Sequence, residues 1–118
     1  MRYLLFVLVF TGLCAHANAS ETWECGDIFK EQKVLIVATA NDKRTAGEVQ
    51  VAGVTHKSRF LVKGFERRWD FGLKNNGEYD YAFIIKPNGD ALYYDFSSAK
   101  AGEIVTSSMV FRCNQSTK

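Results

Sequence analysis

Residues 64–96 read GFERRWDFGLKNNGEYDYAFIIKPNGDALYYDF, three alternating apolar runs joined by two turn signals. Phe65, Arg67, Trp69, Phe71 and Leu73 share one face of the first run, and Glu66, Arg68, Asp70 and Lys74 share the other, which is the period-two pattern of a half-buried strand. Tyr79, Tyr81, Phe83 and Ile85 line one face of the second run, and Leu92, Tyr94 and Phe96 one face of the third. Asn75-Asn76-Gly77 tolerates positive φ, and Pro87-Asn88-Gly89-Asp90 predicts a type I turn with glycine at the left-handed position. The stretch therefore reads as a three-stranded antiparallel meander.

The flanks extend the same pattern. Upstream, Val54–Lys63 (VTHKSRFLVK) places His56, Ser58, Phe60 and Val62 on one face and Lys57, Arg59 and Leu61 on the other, so the outward face is basic. Gly47–Val51 alternates through Val49 and Val51 before a reversal at Ala52-Gly53, and Asn41–Thr45 is a polar loop carrying Lys43 and Arg44. The run KVLIVATA from Lys33 is rich in β-branched residues and predicts a strand buried on much of both faces. Ile28–Gln32 is a polar connection, and Thr22–Cys25 is a first strand ended by Gly26-Asp27, with Trp23 and Cys25 on one face. Downstream, Ser97–Ser107 is the longest polar connection, Ser108–Cys113 is the last strand, and Asn114–Lys118 reads as a frayed tail. About eight short strands without a helix make an all-β chain, and a meander of that number most economically closes into a small antiparallel barrel. A two-sheet β-sandwich is the alternative.

Residues 1–19 place Arg2 ahead of an apolar run from Tyr3 to Cys14 and end in Ala17-Asn18-Ala19, the form of a cleaved secretory signal peptide. The apolar run falls short of the roughly 20 residues of a spanning helix, so no transmembrane segment is expected after cleavage. Of 118 residues, removal of 19 leaves 99, one small domain over 20–118. Loss of Arg2 lowers the formal net charge from +2 to +1, too little for nucleic acid to be the expected partner. Cleavage removes Cys14 as well, and leaves Cys25 and Cys113, which are expected to pair in an exported domain. The protein is thus expected in a periplasm or outside the cell.

Catalytic chemistry finds little support. His56 is the only histidine of the mature chain, and Asp70, Asp80 and Asp95 fit solvated strand faces, whereas a glycosidase needs two carboxylates across a cleft. An enzyme built on Asp70, Asp95 or His56 is the least favoured reading, and no metal or cofactor is expected. Arg67 falls among apolar residues, where a charge is costly unless paired. It belongs at a barrel mouth with its stem over Trp69, or a bulge at Arg67-Arg68 shifts the register. Tyr79, Tyr81, Tyr93 and Tyr94 crowd neighbouring strands, and exposed tyrosine beside arginine is a protein-contact composition.

TWEC at residues 22–25, the meander, and VFRC at 110–113 give an outline that resembles the periplasmic C-type lysozyme inhibitors of the MliC/PliC type. The resemblance implies a disulfide-closed barrel whose loop, carrying serine and a basic residue, enters a lysozyme cleft. That family's Ser-Gly-x-x-Tyr stretch is absent, and Ser97, Ser98 and Lys100 offer similar groups by analogy. ETWEC and SRFLVKGF give a fainter similarity to avidin barrels, without counterparts of the biotin-holding residues. The expected function is an exported, non-enzymatic binding protein, an inhibitor of a lysozyme-like cell-wall hydrolase that contacts a protein partner through Lys43, Arg44, Lys57, Arg59, Arg67, Arg68, Tyr79, Tyr93 and Lys100. A carrier holding an anionic small ligand at Arg67 is the second reading.

Overall fold

A computed structural model describes residues 20–28, 35–100, 102–107 and 109–116. The expected signal peptide, most of the 28–32 connection and the expected start of the second strand at Lys33 and Val34 lie outside the described residues, as do Ser108 and the last two residues of the tail. The eight strands are β1 (Glu21–Asp27), β2 (Ile36–Ala40), β3 (Ala46–Val51), β4 (Val54–Lys63), β5 (Glu66–Leu73), β6 (Tyr79–Ile85), β7 (Asp90–Asp95) and β8 (Met109–Gln115). Each pairs antiparallel with its neighbour in the chain, and β8 returns to β1, so the sheet is a closed barrel rather than a sandwich. Among the described residues closure leaves no strand at a sheet edge. Cys25 lies directly opposite Cys113 across the β1–β8 seam, and the two are disulfide-bonded.

Both hairpin turns of the central meander form as their residues require. Gly77 and Gly89 take positive φ, and Lys86 closes the second turn by donating its N–H to the Asp90 carbonyl at 2.8 Å. The outer strands run longer than the residue pattern indicates. Gly26 and Asp27 continue β1 opposite Arg112 and Phe111, and Asn114 and Gln115 pair with Glu24 and Trp23 rather than fraying. A strand's last residues carry little side-chain signal when it is the partner ladder that holds them. β2 is buried on alternate residues only, so its β-branched run marks one inward face, not two.

The interior is packed with rings. Phe60 meets Trp69 at 4.8 Å between centroids, Trp69 meets Phe83 at 6.2 Å, and Phe83 meets Phe111 edge-on at 5.8 Å. Gly47, on the facing wall, leaves room that the Trp69 indole fills. Its Nε1–H donates to the Thr39 carbonyl oxygen at 2.8 Å, satisfying both groups in the dry interior. A Cβ on Gly47 would fall on that carbonyl and 2.9 Å from Nε1. Gly47→Ala is therefore expected to destabilise by about 1–3 kcal/mol, as overpacking does, read as a lower urea midpoint at unchanged slope.

Three expectations about facing are corrected. Phe65 precedes β5 in the β4–β5 turn and Leu73 stands at the strand's far end, and both are exposed instead of sharing the buried face. In β7 the inward residues are Ala91 and Tyr93, so Leu92, Tyr94 and Phe96 have outward register, and Tyr94 does not point into the core. The alternation of this run is degenerate, because apolar residues occupy both parities. Asp70, expected on a solvated face, is 2% exposed although it belongs to the outer wall.

Candidate binding surface

The outer wall of β4 and β5 carries the principal cluster of charged side chains. Arg59 and Asp70 are direct cross-strand partners, and Arg68 is two residues from Asp70 on the same face. Arg59 donates from Nε at 3.1 Å and from Nη2 at 2.6 Å to one Asp70 oxygen, and Arg68 donates from Nε at 2.8 Å to the other. Two guanidiniums roof the carboxylate, which explains how an outward aspartate becomes buried. Its charge is paired and hydrogen-bonded, as burial requires. Hydrogen bonding to Asp70 pushes the Arg59 guanidinium up from its ordinary value, so it stays charged. The Arg59 guanidinium also lies 5.0 Å over the ring of Tyr79.

These side chains border a groove of about 600 Å³ whose other wall includes Phe96, Lys100 and Glu78. Lys74, also on the groove, pairs with Asp80 at 3.2 Å. Phe96 stacks in parallel on Tyr94 with centroids 5.8 Å apart, so the outward parity of β7 supplies an aromatic platform. The 97–107 connection is anchored at its base. Asp95 accepts from the Ser97 hydroxyl at 2.6 Å and its backbone N–H at 2.9 Å, and these bonds hold the Asp95 carboxyl below its ordinary value. The backbone N–H of Lys100 donates to the Glu103 carboxylate at 2.9 Å.

A second cluster closes one mouth of the barrel. Arg67 stays in register with Val62 and Ile85, so no bulge intervenes, and it faces the mouth. Its Nε donates to Glu21 at 2.5 Å and its guanidinium lies 5.2 Å over Trp23, not over Trp69. Glu21 also accepts from Arg44 at 2.9 Å and from the Trp23 indole at 2.9 Å. Burial pushes the Glu21 carboxyl up, but the hydrogen bonds from Arg67 and Trp23 and the charges of Arg67 and Arg44 outweigh it and hold the carboxyl below its ordinary value. A lowered folded value stabilises the protein above the unfolded value, near 4.5, and that contribution is lost as pH falls through the folded value. Glu21→Gln is expected to cost about 1–3 kcal/mol at pH 7, with the gap to the parent closing below pH ~4.5 in urea titrations.

The residues nominated from sequence thus divide. Arg59, Arg68, Tyr79 and Lys100 meet at the groove. Lys57 is exposed nearby on β4, while Lys43 and Arg44 stand in the 41–45 loop, where Arg44 pairs with Glu21 at the mouth instead of lining the groove. Tyr93 points into the barrel and stacks on Tyr81 at 6.1 Å, and burial, with the neighbouring Tyr81 and Asp95, pushes its hydroxyl up to about 12. Ser97 is committed to Asp95, and Ser98 is exposed. His56 packs on Phe71 inside the barrel at 5.3 Å, on the opposite face of the sheet from Asp70. Sequence reasoning missed Glu21, Lys74 and Phe96. The outward parity of Phe96 could have been found only from the register of β7 against β6.

Among the described residues no group of three His, Cys, Asp or Glu side chains could hold a metal ion, and no helix is long and apolar enough to cross a membrane. No protein-family model, no curated protein and no solved structure matches the chain.

Proposed function

We propose that this is an exported, non-enzymatic binding protein that inhibits a lysozyme-like cell-wall hydrolase by engaging its acidic cleft with the basic outer wall of β4 and β5. The observation that carries the reading is the Arg59–Asp70–Arg68 cluster, with Lys57 and Lys100 near it. Rigid strands present the cations, and a buried carboxylate holds two of them in place. Cationic side chains aligned on one wall steer an anionic partner and set the register of docking. The disulfide suits an oxidising compartment, and the choice of a lysozyme-like target rests on the resemblance carried by TWEC, the meander and VFRC. A ligand carrier gains nothing from this interior, where rings fill the space and Arg67 is already paired with Glu21.

The test is lysis of cell-wall substrate by several lysozyme classes in the presence of the purified, oxidised protein. Dose-dependent inhibition of one class is expected, weakened at least tenfold, about 1.4 kcal/mol, in a Lys57→Gln, Arg59→Gln, Lys100→Gln triple variant. Inhibition should also fall as salt rises from 50 to 300 mM, roughly the range over which exposed charges become screened. If no class is inhibited, the hydrolase reading is wrong.

A further inference from the structure

Among the described residues, Asp70 is the only hydrogen-bond acceptor of the Arg59 and Arg68 guanidiniums. A guanidinium carries five N–H donors. Arg68 uses one of them and Arg59 two, so both retain N–H groups for a further acceptor. Arg59 is 53% and Arg68 39% exposed at the side chain, so these donors reach solvent. Two guanidiniums against one carboxylate leave one positive charge. That charge is held on planar forks whose orientation the buried Asp70 has already set, which lowers the ordering cost of binding.

The surroundings restrict what brings the anion. The two arginines separate the groove of about 600 Å³ from an adjoining hollow of about 350 Å³ that includes Leu61 and Ile84. Arg59 also borders a third hollow, of about 270 Å³, beside Tyr79 and Leu73. A string of depressions crossing a fixed cationic centre suits an extended ligand more than a compact one. Phe96, which lines the groove, offers a ring against which the C–H face of a sugar packs, and the Glu78 carboxylate at the groove wall can accept from hydroxyl groups. The volume of the main groove falls within the usual size of small-molecule sites.

We propose that this groove is a binding site for an acidic oligosaccharide, one of whose carboxylate or sulfate groups is held by Arg59 and Arg68 while an adjacent sugar ring packs on Phe96. The site is separate from the hydrolase reading in its test, since the titration contains no hydrolase, and either can fail alone.

Nuclear magnetic resonance titration of the isotope-labelled protein with tetragalacturonate tests the site. The expected result is saturable shifts at β4, β5 and the 97–100 segment. A fully methyl-esterified tetramer should bind at least tenfold more weakly. The same loss is expected in Arg59→Gln, Arg68→Gln, provided that variant still melts cooperatively. Arg112→Gln, which removes an exposed cation paired with Asp90 on β7–β8, should bind as the parent does. Arg68→Lys keeps the charge without the fork and is expected to bind several-fold more weakly than the parent. Absence of saturable shifts overturns the proposal, as does equal binding of the esterified tetramer. Inorganic sulfate or a tetraglutamate peptide binding as tightly as tetragalacturonate would also overturn it, because the sugar ring would then contribute nothing.

Discussion

Replacing Cys25 and Cys113 together by alanine is expected to lower the free energy of unfolding by about 2–5 kcal/mol. The bond joins residues separated by 88 positions, and in the chain-entropy account a loop of that length contributes about 4.6 kcal/mol by restricting the unfolded chain. The seam it clasps is the costliest in the barrel to form, since β1 and β8 are the pair farthest apart along the chain, while every other pairing joins strands adjacent in the chain. Stability of a small domain is about 5–15 kcal/mol, so the loss is a large share of the total. Urea unfolding of the oxidised parent against the double variant measures it. The β1–β8 ladder and the Glu21 cluster remain in the variant, so the native circular dichroism spectrum should persist in the absence of urea. A midpoint displaced by less than the equivalent of about 0.5 kcal/mol would show that the ladder alone holds the seam.

Trp69→Ala is expected to be the most damaging single truncation, costing about 3–5 kcal/mol. Trp69 is fully buried and touches Phe60 and Phe83, and its indole reaches across the barrel to the Thr39 carbonyl. Truncation removes the ring contacts, opens a cavity and removes the indole hydrogen bond to the Thr39 carbonyl. Trp69→Phe separates these effects. It keeps most of the apolar volume, so its loss of about 1–3 kcal/mol is chiefly that of the buried indole-to-carbonyl hydrogen bond. Thermal melts of both variants should fall in the order parent, Trp69→Phe, Trp69→Ala. Equal melting of parent and Trp69→Phe would mean that water replaces the indole donor at Thr39.

Strand count, hairpins and the cysteine pair were legible because each rests on local chemistry. Period-two alternation names strands, Asn-Gly and Pro-Asn-Gly-Asp name turns, and two remaining cysteines name a pairing. Arg67 was legible as an anomaly too, because a charge in an apolar alternation signals a mouth or a partner. Its partner was not legible, since Glu21 lies 46 positions away and meets it only when the sheet closes.

By itself, then, the amino-acid sequence determined an all-β chain of short antiparallel strands with one cystine, because propensity, turn stereochemistry and alternation act within a few residues. Only the tertiary structure decided for the expected barrel against the sandwich, placed Tyr93 rather than Tyr94 inward, and buried Asp70 beneath Arg59 and Arg68. Those outcomes depend on register between strands and on charges brought together across them. Where apolar residues stand at both parities, as in Leu92-Tyr93-Tyr94, alternation cannot choose a face. The neighbouring strand's hydrogen-bond ladder makes that choice.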